Sequence, residues 1–415
     1  MNDNNRVAIV GAGAAGCFCA IELKRRMPHL QVDVYEGGSK ALAKVAITGG
    51  GRCNLTNTFN AIDNLAEVYP RGERLMRRML SKFSQEDAWR WFEDAGVALV
   101  AQDDECVFPQ SQDAMEIVNT LLRLMHHYGV RLHLRHKVSN VTHNDHGTYT
   151  LTFVQEESDV ATSDFVVVTT GGAPKTSRSQ MLSPLALEMV PPVPSLFTFN
   201  LADAGIKQLM GTVVKDVTVM LASTRFRASG TLLITHWGVS GPAILRLSSY
   251  AARHLAENDY KARLVVNWCG DVSEDDVRQM LRKLSEQNGA KLITSVWPER
   301  FTSRHWQQLI ERSAIPPTQR WNALNKKMLN RLINTLVADE YDITGRCPFK
   351  EEFVTCGGVS LSNISMKTLE CKAHPGLYFA GEVLDVDAIT GGFNLQAAWS
   401  MAYSVAESIC KQVKE

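Results

Sequence analysis

An α/β fold interrupted by an inserted β-barrel-like and helical domain is predicted by three observations. The chain opens with an apolar run, Val7-Ala8-Ile9-Val10, that feeds Gly11-Ala12-Gly13-Ala14-Ala15-Gly16, then a helical pattern to Met27 and a second apolar run ending at Glu36. Its middle, from about residue 194 to 270, alternates apolar and polar residues in the period of strands. Its end has a strand-like stretch at 377–380, followed by Gly391-Gly392 at the start of a helical pattern.

Each part of the first motif has a physical task. Gly-x-Gly-x-x-Gly between a strand and a helix, with an acid twenty residues after the last glycine, is the dinucleotide-binding fingerprint of a Rossmann-type domain. Gly11 permits the tight turn, Gly13 lets the backbone approach a pyrophosphate, and Gly16 lets the helix pack on the strand. Ala14 and Ala15 lie in the first helical turn, whose unpaired N–H groups and dipole favour a phosphate. Glu36 is placed to accept hydrogen bonds from an adenosine ribose and to repel a 2′-phosphate, which disfavours NADP at this site.

The 415 residues allow two or three domains. The 44 basic and 44 acidic side chains cancel, and the absence of a basic tail argues against nucleic acid as a partner. Arg71, Arg74, Arg77, Arg78 and Lys82 form the densest basic cluster and read as a solvated helix face. No apolar run spans a bilayer and no signal core stands at the start, so a cytoplasmic location is expected, with the nine cysteines reduced. There is no Cys-x-x-Cys pair and no metal-ligand spacing, so no metal is expected.

After Glu36 comes Lys44-Val45-Ala46-Ile47-Thr48-Gly49-Gly50-Gly51-Arg52-Cys53-Asn54-Leu55-Thr56-Asn57. Three consecutive glycines suit neither helix nor strand and keep the backbone bare for a flat or anionic ligand. The stretch resembles the signature of a bacterial family of NAD(P)/FAD-dependent oxidoreductases that includes the bile-acid-reductase type flavoproteins and aminoacetone oxidase. That resemblance implies a glutathione-reductase-like FAD domain, with Lys44, Thr48, Gly49, Gly50, Arg52 and Asn54 beside the cofactor. Cys53 reads as structural, with a reactive thiolate beside Arg52 as the other option.

Helical patterns fill 65–95, and a hairpin is expected across Asp103-Asp104. Ser111 is read as the cap of a helix to Tyr128, with Asp113 in its first turn and Met115, Val118, Leu121, Leu122 and Met125 as its buried stripe. Strands are expected at 130–134, 149–154 and 165–170. Val138, Thr170 and Gly171 join the candidate cofactor contacts, and Gly171-Gly172 either closes the second half of the FAD sheet or is only a tight turn. The run 174–194, rich in Ser, Pro and Lys, reads as a linker. Here the chain departs from the family, which carries a further Gly-rich Asp-Gly-Tyr segment, so no contact of that segment is carried over.

Thr235-His236-Trp237-Gly238-Val239-Ser240-Gly241-Pro242 is the second stretch shared with the family, before a helix at 243–255. His236 and Ser240 either face the flavin or serve the turn and cap the helix. A strand is expected at 261–268, then helices introduced by Ser273, Ser303 and Pro317 up to about Glu340. Thr355-Cys356-Gly357-Gly358 precedes the final strand, after which Gly381, Glu382 and Asp385 stand where open α/β sheets bind ligands. Either Glu382 or Asp385 would accept from the ribitol. Gly392, Phe393, Asn394 and Leu395 begin a helix over 394–410 whose positive end would face the flavin pyrimidine.

The expected architecture is a discontinuous FAD domain, 1–190 and 345–415, with an inserted domain at 191–344 that is β-rich to 270 and helical beyond. The expected activity is that of an FAD-dependent oxidoreductase acting on a small molecule. The flavin would be reduced by NAD(P)H docking transiently or by an organic donor, and reoxidised by an acceptor or oxygen. His236 is the candidate for proton transfer. The rival reading is a non-redox flavoprotein with structural FAD and an insert that binds RNA or a protein.

Overall fold

The computed structural model describes residues 5–154, 160–172, 180–347 and 354–414. It divides into two compact units, Met1–Pro194 with Lys350–Glu415, and Ser195–Phe349. The first is built on a five-stranded sheet in the order Leu377–Phe379, Phe165–Val168, Arg6–Val10, Gln31–Glu36 and Arg131–Leu134. All four pairings are parallel, and the three inner strands are largely buried on both faces. Val7, Ala8 and Ile9 are fully buried. Val10 pairs with Tyr35 and Val168, so the fingerprint leaves the sheet at its carboxyl edge, where such sheets bind ligands.

Helix Ala14–Arg26 lies against the C-terminal helix Phe393–Lys414, which begins one residue earlier and ends four later than its pattern predicts. This unit also contains two antiparallel three-stranded sheets. One joins Thr56–Asn57, Cys106–Pro109 and Leu99–Ala101, and the other joins Val138–His143, Tyr149–Phe153 and Val160–Ser163.

Four local expectations are corrected here. Asp113 rather than Ser111 caps helix Ala114–His127, its carboxylate accepting from the Met115 N–H at 2.8 Å. An Asx cap needs its carboxylate two or three residues before the bare amides, and only Asp113 has that spacing. Met115 is consequently in the first turn and 43% exposed, outside the buried stripe. Residues 189–194 of the expected linker belong to a strand, Met189–Ser195, in a two-stranded sheet with Val354–Val359. Its prolines are tolerated because a two-stranded sheet leaves each strand an unpaired edge. The linker's start, Pro174-Lys175-Thr176, lies outside the described residues. Finally, Arg71 leaves the solvated basic face and pairs with the buried Asp387, whereas Arg74, Arg77 and Arg78 remain exposed.

The second unit is a closed six-stranded barrel with helices on it. Around the barrel run Phe199–Leu201, Gly238–Ser240, Arg227–Ile234, Val213–Leu221, Ala262–Asn267 and Asp339–Arg346. The closing strand falls where helix was expected to continue, because helix Lys326–Val337 ends three residues before Glu340. Ser273 caps helix Glu274–Asn288 through a capping box. Thr302 caps Ser303–Arg312, and Asn325, not Pro317, introduces Lys326–Val337. The helix expected at 243–255 is broken at Ala251 into Pro242–Tyr250 and Ala252–Glu257.

One core histidine makes stability depend on pH. His305 is 1% exposed, packed against Trp268 and Phe301, and its Nδ1 has no hydrogen-bond partner among the described residues. Burial pushes its imidazole down to about 4. The unfolded chain therefore binds this proton more readily, so its contribution is complete above about pH 6.5 and is lost as pH falls toward 4. His305→Phe is expected to flatten urea-derived stability between pH 6.5 and 4.5, where the parent loses up to about 3 kcal/mol. Equal slopes for the two proteins would contradict this assignment.

Candidate functional site

The fingerprint forms a cradle at the carboxyl edge of the parallel sheet. Gly11 turns with φ 106°, and a Cβ there would lie 2.7 Å from the Thr169 carbonyl oxygen. Thr169 Oγ1 donates to the Gly11 carbonyl at 2.8 Å and fastens the turn. Gly13 is the N-cap of Ala14–Arg26, no side chain caps that helix, and its first turn holds no acid. A Cβ at Gly13 would meet nothing within 4 Å. Bare amides thus face open space at a positive helix end, the arrangement that suits a pyrophosphate. Gly16 has no such room, because a Cβ there would strike the Gly11 carbonyl and the Thr169 hydroxyl.

Glu36 Oε2 accepts from the Ala12 N–H at 3.0 Å and Oε1 from the Gly38 N–H at 2.7 Å. These two bonds fix the carboxylate at the end of its strand and beside the glycine turn. Among the described residues the buried Thr170 Oγ1, next to the same turn, has no partner and is available to a ligand. An orphaned hydroxyl, an open Gly13 and an uncapped helix together fit a dinucleotide.

Segments far apart in sequence meet here. The Leu42 N–H donates to the Ala12 carbonyl at 2.7 Å, and a Cβ on Gly381 would lie 3.2 Å from the Ala15 methyl. Glu382 accepts from the Thr355 N–H at 2.7 Å through Oε1, and from Lys44 Nζ at 3.1 Å through Oε2. A Cβ on Gly172 would collide with Thr355 and Glu382. The choice between Glu382 and Asp385 thereby acquires content. Glu382 stands with Lys44, while Asp385 adds its negative charge near Arg71.

The glycine-rich loop approaches the C-terminal helix. Gly49, Gly50 and Gly51 have φ of 57°, 68° and 83°, a left-handed run that turns successive amides to one side. The Asn54 amide, oriented by its neighbours, accepts from the Gly392 N–H at 3.3 Å and donates to the Thr56 carbonyl at 3.0 Å. Asn57 Nδ2 donates to the Gly391 carbonyl at 3.1 Å. Thr48 Oγ1 is turned to the Val45 carbonyl, and Arg52 bends back over the Phe108 ring at 4.4 Å and onto the Gly49 carbonyl at 3.2 Å. Burial pushes the Cys53 thiol up to about 12, which leaves it structural.

Several predicted contacts also make bonds or packing contacts within the frame. Asn394 accepts from the Ala388 N–H at 2.9 Å and donates to its carbonyl at 3.0 Å, so its amide is spent on the preceding loop. Phe393 is buried, edge-on to Phe59 and Tyr69. Leu395 is half-buried, and Val138 is buried in an antiparallel sheet. In the barrel unit, His236 is exposed at the turn between two barrel strands, its ring 4.4 Å from that of Trp237. The Thr235 hydroxyl accepts from the Gly238 N–H and holds that turn. Gly241, with no side-chain cap, precedes helix Pro242–Tyr250, so Ser240 is not its cap.

Leu42, Thr355 and the Arg71–Asp387 pair were not anticipated as parts of this frame. Leu42 has φ 56° but is an ordinary apolar residue in sequence, and Asp387 gives no sign of a partner 316 residues away. Thr355 had one signal, its position before Cys356-Gly357-Gly358. Among the described residues no helix is long and apolar enough to cross a membrane, and no group of three His, Cys, Asp or Glu could hold a metal ion.

Comparison with known proteins agrees with this frame. A ribosomal RNA dihydrouridine synthase of Escherichia coli K12 is 30% identical over 413 residues, 97% of this chain and 97% of that protein. A 3-dehydro-bile acid delta(4,6)-reductase of Clostridium scindens is 26% identical over 418 residues, 96% of this chain and 97% of that protein. Among solved structures, 3-ketosteroid-delta4-(5alpha)-dehydrogenase of Rhodococcus jostii RHA1 shares the fold, with a TM-score of 0.53 at 13% identity over 99% of this chain and 97% of that one. The family model described as HI0933-like protein Rossmann domain matches residues 5–408. The chain therefore belongs to the HI0933-like Rossmann-domain family.

Proposed function

We propose that the protein saturates a carbon–carbon double bond conjugated to a carbonyl, and that the bond is C5=C6 of a uracil base in RNA. The observation that carries this reading is the full-length match, insert included, to a relative named for dihydrouridine in ribosomal RNA. A second relative named as a delta(4,6)-reductase supports the same bond chemistry on a different substrate. On uracil, a hydride added to C6, β to the C4 carbonyl, is matched by a proton added to C5, the α carbon.

When bound, FAD would supply the hydride chemistry, with NAD(P)H as the proposed source of its two electrons. Only one Gly-x-Gly-x-x-Gly follows a strand, so the nicotinamide is read as a transient visitor. The amides around Gly13 and the Glu36 carboxylate would hold its ADP half, and Thr170 and the Lys44–Glu382 pair would hold the region next to it. We assign delivery of the proton at the α carbon to His236, whose imidazole is exposed at its turn. His236→Asn is expected to keep its flavin and to slow single-turnover oxidation of the reduced protein by substrate about a hundredfold.

The test of the reading is anaerobic. The flavin-loaded protein is mixed with NADH or NADPH and an in vitro transcript of ribosomal RNA, and the digested nucleosides are weighed for a gain of two hydrogens on uridine. A small-molecule reading, favoured by the cancelled charge of the chain, is tested in parallel with conjugated steroid ketones. Saturated ketone without dihydrouridine would move the substrate to that class. Neither product, with a flavin that neither nicotinamide bleaches, would overturn the reductase reading.

A further inference from the structure

The helical part of the barrel unit contains a groove of about 830 Å³ whose charged lining is Glu274, Arg278, Arg312, Lys326, Lys327 and Arg331. Five of these six are cations, in a chain whose total charge is zero. Arg312 is engaged by Asp203 and Asp339, and Arg278 by Glu274 and the Asn330 amide. Lys326 and Lys327 are exposed and carry no ion pair among the described residues. Arg331 donates to the Ala314 carbonyl at 3.0 Å, and its buried Nε has no acceptor. Three cations therefore remain unneutralised on one groove.

Their position is a second, independent observation. Lys326 and Lys327 open helix Lys326–Val337, whose first turn contains no acid. Cations at the positive end of a helix dipole oppose the preference for acids that the neighbouring helix Glu274–Asn288 obeys with Glu274, Asp275 and Asp276. Dipole and lysines add to one positive potential, which is unfavourable in isolation and relieved by a bound anion.

The lining also limits which anion fits. Besides the charged residues it consists of Ser313, Ala314, Asn330, Asn334 and Thr335, with no aromatic and no large apolar side chain. A dinucleotide would find nothing to stack its rings on, and a membrane surface nothing to insert. A sugar–phosphate backbone needs neither, only point charges and hydrogen-bond donors along its path.

We propose that this groove is an RNA-backbone docking site, in which Lys326, Lys327 and Arg331 neutralise successive phosphates of the substrate RNA. The proposal rests on the RNA reading above and adds the surface that holds the strand independently of base sequence. Contacts of this kind position a substrate without specifying it.

The test uses the full-length, flavin-loaded protein and the same ribosomal RNA transcript. Filter-binding constants are measured across salt concentrations for the parent, K326E/K327E, K326Q/K327Q, and K261E as a charge reversal outside the groove lining. K326E/K327E is expected to bind at least tenfold more weakly. K326Q/K327Q is expected to flatten the plot of log affinity against log salt by about 1.4, the share of two phosphates on a single strand. K261E is expected to follow the parent. Unchanged affinity and slope in both lysine pairs, or an equal loss in K261E, would overturn the groove while leaving the RNA reading intact, since the parent would still bind RNA and form dihydrouridine. RNA binding retained with weakened reduction by NADPH would assign the groove to the nicotinamide and also overturn the proposal. A parent that neither binds the transcript nor modifies it would remove both.

Discussion

Gly13→Glu is expected to yield a folded protein without flavin. Gly13 caps the fingerprint helix, and its missing Cβ opens onto space free of protein atoms within 4 Å, so the longer side chain meets no steric obstacle in the polypeptide. The new carboxylate would occupy the place where bare amides await a phosphate, and would repel one electrostatically. Flavin absorbance per polypeptide should fall at least tenfold, while far-ultraviolet circular dichroism and a single melting transition persist. Gly16→Ala supplies the contrast. Its methyl has the Gly11 carbonyl in its path and the Thr169 hydroxyl 2.6 Å away, so it should compromise folding as well as loading. Full flavin content in Gly13→Glu would refute the assignment of the cradle.

Arg71→Met is expected to destabilise the first unit by about 3–5 kcal/mol, because it leaves a carboxylate buried without its cation. Asp387 is 1% exposed, and both its oxygens receive the Arg71 guanidinium. The two residues also form a backbone bridge, which the substitution leaves in place. Removing both charges in Arg71→Met with Asp387→Asn should recover most of the loss, since the larger part of the penalty belongs to the stranded charge. Urea unfolding of the single and double variants measures the difference. A single variant within about 1 kcal/mol of the parent would show that Asp387 is satisfied by other groups. The pair holds the loop that carries Ala388, whose backbone is fastened to Asn394 at the head of the C-terminal helix. Flavin retention in Arg71→Met is therefore expected to fall along with stability.

The parts of the fold that were legible in advance are those governed by near neighbours in sequence. Strands such as Arg6–Val10, Val213–Leu221 and Ala262–Asn267 announce themselves by apolar runs or alternation. Errors gathered at boundaries, where one or two residues decide which side chain meets the bare amides. Asp113 displaced Ser111 as a cap, and Asn325 displaced Pro317. The proline-rich run was misread because its composition resembles a linker, whereas its pairing with Val354–Val359 is a long-range fact.

By itself the sequence determined the nucleotide-binding fingerprint from Gly11 to Gly16, the acid at Glu36, the bare loop around Gly49 to Gly51, and hence the chemical class of the cofactor. Glycine spacing and strand–helix periodicity are local properties, and the close approaches they permit are the same in any sheet of this kind. Only the tertiary structure decided that Glu382 stands with Lys44, 338 residues away, while Asp385 lies near Arg71. It alone closed the barrel with Asp339–Arg346, and it alone gathered Lys326, Lys327 and Arg331 on one groove while neutralising Arg278 and Arg312. Net charge sums over the chain and is blind to such sorting. Whether a cation is spent on a carboxylate or left for a ligand depends on which elements pack together, and no local pattern encodes that.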